Sequence, residues 1–242
     1  MSAILQLKGV TRRYSGLVAV SDVSFDIEQG SITALIGPNG AGKTTTFGMI
    51  AGAISPSAGS IHYEGVRIDG VAPEQLCAMG IARTFQIVRP LQGMSVIDNV
   101  MIGALNRTSN LKIARSNAFD LLNRVGLGTK AFEMASNLTL PDRKLLETAK
   151  ALATGPKLLM LDEVMAGLRP AEADRVMDVL SAVRAEGVTI LLIEHVMRVV
   201  MAIAQHVIVL NHGELIARGT PSEIVTHPRV IESYLGTKAI HP

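Results

Sequence analysis

The chain has 242 residues, 48% of them hydrophobic, with 23 basic side chains against 21 acidic ones. A net charge of +2 without a basic run gives no footing for a nucleic-acid partner. The one cysteine, Cys77, excludes an internal disulfide, and the length allows one large domain or two small ones around a substantial core.

A mean hydropathy of +0.33 is high for a water-soluble chain. Yet the most apolar stretch, 188–210, is broken by Glu194, His195, Arg198, Gln205 and His206. A membrane-spanning helix needs about 20 largely uncharged apolar residues. The apolar excess therefore belongs to an aliphatic core or to a contact surface. The first ten residues lack a basic-then-apolar leader, so the expected compartment is the cytoplasm.

In chain order, Leu5, Leu7, Val18, Val20, Val23, Phe25 and Ile27 alternate with polar residues, which predicts strands. The run Ile32–Ile36 predicts a further strand and Lys43–Ala51 a helix. Residues 60–67 read as one strand bracketed by Gly59 and Gly65, and 73–80 as a short helix. Beyond residue 86 the spacing turns helical over 95–105, 111–125 and 143–153. Strand and helix then alternate: strands at 157–161, 188–193 and 206–210, helices at 171–185 and 196–204. This pattern predicts an α/β core with a parallel sheet. Residues 1–86 and 156–242 form that core, and 87–155 form a helical insertion.

Residues 37–45 read Gly-Pro-Asn-Gly-Ala-Gly-Lys-Thr-Thr directly after an apolar strand. This is a phosphate-binding P-loop in its expected setting. Gly37, Gly40 and Gly42 let the backbone turn tightly, so that N–H groups of Asn39, Ala41 and their neighbours converge on an anion. Lys43 reaches the outer phosphates, and the Thr44 hydroxyl suits Mg²⁺, with Thr45 beside it. The run 158–163 is an apolar strand ending in Asp162 and Glu163. There Asp162 suits a Mg²⁺ held through water, and Glu163 suits a base that polarises an attacking water. His195 closes another apolar strand, where an imidazole can donate to a γ-phosphate.

The P-loop, Gln86 after Arg-Thr-Phe, Leu-Asp-Glu at 161–163 and His195 together resemble the ATP-binding subunit of ABC transporters. The resemblance runs nearly the full chain. It implies a P-loop NTPase core with an antiparallel β subdomain near the N-terminus and a helical insertion subdomain, all within one ABC ATPase domain. It implies ATP and Mg²⁺ as ligands, adenine stacking on Tyr14, and Gln86 sensing Mg²⁺, water and the membrane subunit. It also implies head-to-tail pairing with a second ATPase, identical or sister, with ATP held between one P-loop and the other's signature helix. Two transmembrane permease subunits and, indirectly, a periplasmic binding protein complete the implied assembly, with this chain on the cytoplasmic face of the plasma membrane.

The signature segment departs from the family's Leu-Ser-Gly-Gly-Gln, reading Leu138-Thr139-Leu140-Pro141-Asp142. Thr139 keeps a hydroxyl for the γ-phosphate, whereas Pro141 removes one N–H. Thr139 and Asp142 also read as a helix-start box. Val164 and Arg169 depart from the usual proline and aspartate or asparagine. Residues 81–86, 163–168, 193–197 and the tail from Gly219 to Gly236 are similar to the branched-chain amino-acid importer ATPases. Residues 44–47 and the domain length also resemble lipid or lipopolysaccharide exporter ATPases. A soluble ABC ATPase acting away from membranes is a third reading, but such proteins carry paired ATPase domains or a long inserted arm.

Overall fold

The computed structural model describes residues 2–84 and 90–235. In chain order it contains β1 (Ala3–Tyr14), β2 (Leu17–Glu28), β3 (Ile32–Ile36), α1 (Lys43–Ile50), β4 (Ala58–Tyr63), β5 (Val66–Arg67) and α2 (Pro73–Met79). There follow β6 (Ile81–Arg83), α3 (Val96–Ala104), α4 (Leu111–Arg124), α5 (Leu140–Ala153) and β7 (Leu158–Asp162). The chain continues with α6 (Pro170–Ala185), β8 (Thr189–Ile193), α7 (Met197–Ile203), β9 (His206–Asn211), β10 (Glu214–Gly219), α8 (Pro221–Val225) and α9 (Pro228–Leu235). Two compact units result, Met1–Leu76 with Thr189–Pro242, and Cys77–Val188.

In the first unit, β2, β1, β4 and β5 lie in that order in an antiparallel sheet. The alternation read in the sequence buries Leu5, Leu7, Val20, Val23, Phe25 and Ile27 on one face. Residues 60–67 are two strands, β4 and β5, and not one. Glu64 and Gly65 both take positive φ, 47° and 80°, so Gly65 belongs to a turn inside the segment rather than to its end.

The unit's other strands run β10-β9-β3-β8. β3 pairs in parallel with β8 and β9, and β10 folds back antiparallel on β9. All five residues of β3 and of β8 are buried, as strands covered on both faces require. The apolar stretch 188–210 is therefore β8, α7 and most of β9. Among the described residues no helix is long and apolar enough to cross a membrane.

In the second unit β6 and β7 pair in parallel, and α3, α4 and α5 pack on one another. α3 is capped by Ser95, whose hydroxyl accepts from the Asp98 N–H. The buried Asn99 amide accepts from the Leu91 N–H at 2.8 Å and donates to the Leu91 carbonyl at 3.1 Å, pinning the approach to that helix. β7 lies one residue later than 157–161, ending on the acid itself. α5 begins at Leu140, three residues before the apolar period becomes readable, because Thr139 caps it.

The apolar residues divide between core and surface. Each unit has an aliphatic core, while Leu111, Ile113, Phe132, Met134 and Leu140 of the second unit stay exposed.

Candidate phosphate-binding site

β3 delivers the chain into the glycine loop, and α1 leaves it at Lys43. Gly37 and Gly42 have φ of 148° and 97°. A side-chain carbon at Gly37 would stand 2.1 Å from the Leu210 carbonyl oxygen, and one at Gly42 would stand 2.6 Å from that of Ala19. Only glycine fits at either position. No side chain caps α1 and no acid lies in its first turn, so its first N–H groups and positive end are kept for an anion.

Lys43 is buried, and its ammonium donates to the carbonyls of Gly37 at 2.7 Å and Pro38 at 2.9 Å. Those bonds hold the cation over the cradle. Asn39 and Gly40 lie exposed on the loop's rim, with Ala41 buried below and its carbonyl accepting from the Gly213 N–H at 3.1 Å. The Thr44 side chain is exposed and that of Thr45 half-buried.

Tyr14 ends β1 with its ring 38% exposed. The Arg12 guanidinium lies 4.5 Å from the ring centroid, covering one face of the ring. Arg12 was not singled out in the sequence, although its place two residues before Tyr14 on one strand could have marked it.

His195 is exposed just past the end of β8. Leu35 pairs with Ile193 in the parallel register, so the chain leaves β3 for the P-loop at the same strand end as it leaves β8 for His195. This carboxyl edge is where open α/β sheets bind ligands.

In the second unit, Asp162 ends β7 buried, and its N–H donates to the Thr84 hydroxyl at 3.4 Å. Glu163 has φ of 49°, a left-handed backbone for a residue with a β-carbon. Such outliers cost about 1–3 kcal/mol and cluster at functional sites. The Glu163 carbonyl accepts from the ammonium of the buried Lys144 at 3.1 Å and from the Ala166 N–H at 3.1 Å. Lys144 thereby ties α5 to the turn that carries the acid. Nothing in the sequence marked Lys144, because the contact spans two elements. Gln86 lies outside the described residues.

The altered signature forms a closed polar knot. The Thr139 hydroxyl accepts from the Asp142 N–H at 3.5 Å, as the helix-start box predicted, and Pro141 sits in the first turn. The same hydroxyl donates to the Asp142 carboxylate at 2.8 Å. Its hydrogen, expected to serve a phosphate, is thus directed at Asp142. That buried carboxylate also accepts from Lys130 at 2.6 Å and from Arg175 at 3.4 Å. Burial alone would raise its pKa, but the bonds from Lys130 and Thr139 and the charges of Lys130 and Arg175 hold it below the usual carboxylate range.

A family profile described as "ABC transporter" matches residues 20–166, more than half of the chain. The chain belongs to the ABC transporter ATP-binding family. A second profile, described as "Branched-chain amino acid ATP-binding cassette transporter", matches residues 214–240. Curated relatives include the high-affinity branched-chain amino acid transport ATP-binding protein LivG of Salmonella typhimurium, 39% identical over 96% of this chain and 98% of its own length. The protein of the same description named BraF, from Pseudomonas aeruginosa, is 36% identical over 96% of this chain and 98% of its own. Among solved structures, a nucleotide-free ATP-binding cassette of an ABC transporter superposes with a TM-score of 0.89 at 29% identity, covering 97% of this chain and all of that one. A cassette in its ADP conformation gives the same score and identity over 98% of this chain. The cassette fold and the ATPase class of the P-loop reading are borne out.

Proposed function

We propose that this chain hydrolyses ATP to drive an importer of branched-chain amino acids or related small polar solutes, docked on the cytoplasmic face of the plasma membrane. As an ABC transporter ATP-binding protein it works with membrane permease components. The observation carrying the substrate class is the branched-chain match at residues 214–240, together with 39% identity to LivG along nearly the whole chain. Two permease subunits, a sister or identical ATPase and an upstream binding protein complete the assembly in this reading. The exposed Leu111, Ile113, Phe132 and Met134 offer a permease apolar surface to dock on.

In the chemistry we infer, the P-loop N–H groups and Lys43 bind the phosphates of ATP, and the uncovered face of Tyr14 stacks on adenine. Glu163 takes a proton from the water attacking in line on the γ-phosphate, and His195 donates to a γ-phosphate oxygen. The Thr44 hydroxyl and the Asp162 carboxylate are hard oxygen donors that fit Mg²⁺, and would hold it with Gln86. When bound, that ion supplies positive charge that offsets the phosphate charge. The conformational change then passes to the permease through the second unit's helices and Gln86.

The test is reconstitution with the permease subunits that co-purify with this chain. ATP-dependent uptake of leucine, valine or isoleucine into vesicles is the expected result. Stimulation of ATP turnover by lipid alone, with no uptake of these amino acids, would favour the exporter reading instead.

A further inference from the structure

The first unit holds a cavity of about 490 Å³ beside the P-loop. Pro38 to Ala41 of the P-loop line it. Arg229, Glu232 and Ser233 of α9 line it too, with Asn211, His212 and Ile216 of the β9–β10 hairpin completing the lining. Neither Lys43, Thr44 nor Tyr14 lines it, so the cavity shares loop residues with the nucleotide site but none of the side chains that hold ATP in this account.

The lining is specific in its chemistry. Arg229 and Glu232 stand three residues apart on one helix, where side chains are neighbours about 5–6 Å apart at Cβ. Opposite charges at that spacing commonly pair, but among the described residues neither has an ion-pair or hydrogen-bond partner. Both side chains are exposed, and a cation and an anion near each other on one helix face, beside polar and aliphatic lining, complement a small molecule that bears both charges close together. Arg229 suits a carboxylate and Glu232 an ammonium. Ile216, 9% exposed, supplies apolar contact, Asn211 can donate or accept a hydrogen bond, and the Ser233 hydroxyl, which donates to the Val230 carbonyl at 2.7 Å, can accept one. The volume lies within the usual range for small-ligand pockets, about 300–1,000 Å³.

We propose that this cavity is a second ligand site, which binds a small aliphatic α-amino acid between the outer rim of the P-loop and the C-terminal helix. The site touches the nucleotide loop through more than its lining. Gly213 donates to the Ala41 carbonyl, and the Gly37 N–H faces the Tyr234 hydroxyl of α9. A ligand that bridges α9 and the loop therefore presses on the segment that holds Lys43. Leucine, valine and isoleucine as probes rest on the transport reading above; the charge pattern of the cavity does not.

Calorimetric titration of the full chain with leucine tests this directly. Saturable one-to-one binding is expected. Leucinamide, which lacks the carboxylate, and 4-methylpentanoate, which lacks the ammonium, should each bind at least about tenfold more weakly, since each loses a charge-assisted contact. Arg229→Gln and Glu232→Gln should weaken leucine to a similar degree. Leucine binding should also persist in Lys43→Ala and in the presence of saturating ATP. Absence of leucine, valine and isoleucine binding at millimolar concentration overturns the proposal. So does equal binding of both analogues, or competitive displacement by ATP, which would make the cavity part of the nucleotide site. These measurements use the isolated chain. A failed uptake assay would therefore strike the transport reading alone, and failed binding with intact uptake would strike this site alone.

Discussion

Replacing Asp142 by asparagine keeps the shape of the signature knot and removes its charge. In the native chain the carboxylate accepts from Lys130 at 2.6 Å and Thr139 at 2.8 Å, with Arg175 at 3.4 Å. Hydrogen bonds to charged groups contribute about 1.5–3 kcal/mol each. The Lys130 and Arg175 side chains are 36% and 45% exposed, so water rehydrates them when the charge is lost, and the total falls toward the lower end. The expected loss is about 2 kcal/mol, which for a chain of this length is a fall in midpoint of about 4–8 °C. The pH dependence carries a definite sign. The folded-state pKa is depressed, so the stabilisation is complete above the ordinary carboxylate pKa near 4 and is lost as pH falls through the lower folded value. Thermal melts of the native chain and Asp142→Asn should therefore differ fully at pH 7 and converge progressively below about pH 4. Equal midpoints at pH 7, or a gap that stays constant down the acid limb, would refute the reasoning.

Glu163→Gly removes a left-handed residue with a β-carbon, so stability should hold or rise by about 1 kcal/mol in urea unfolding. Phosphate release should fall at least about a hundredfold in the same variant. Lys144→Met should lower kcat by about tenfold to a hundredfold with ATP affinity unchanged, because it frees the turn that carries Glu163; an equal loss in Kd would contradict this. Tyr14→Ala should weaken ATP about threefold to tenfold in equilibrium binding, the value of one stacking face; unchanged affinity would remove Tyr14 from the adenine site.

The parts of this fold that show in the sequence are those governed by local rules. The P-loop is legible because the close approaches at Gly37 and Gly42 admit no other residue, and the loop is contiguous. β3, β7 and β8 show as nearly continuous apolar runs, with Thr33 inside the first, Asp162 ending the second and Thr189 opening the third, since burial on both faces leaves no alternation to obscure them. The hairpin at Glu64 and Gly65 was misread because one glycine can end a strand or turn it, and cross-strand pairing decides which. The start of α5 was misplaced for a different reason: the capping hydroxyl of Thr139 precedes the first apolar residues of the buried face. What could not be read at all is long-range. The 33-residue separation of Arg175 from Asp142 and the reach of Lys144 to the Glu163 carbonyl leave no period or motif. Without them the signature segment looks merely degraded, when its acid is in fact buried, ionised and fully partnered.

The account stands on one claim, that the P-loop cation, the base after β7 and the imidazole after β8 act on a single terminal phosphate. ATP binding and phosphate release measured side by side on Lys43→Ala, Glu163→Gln and His195→Ala test it most directly. Loss of binding in the first, and retained binding with turnover abolished in the other two, is the predicted result. Turnover near the native rate in Glu163→Gln or His195→Ala would contradict it.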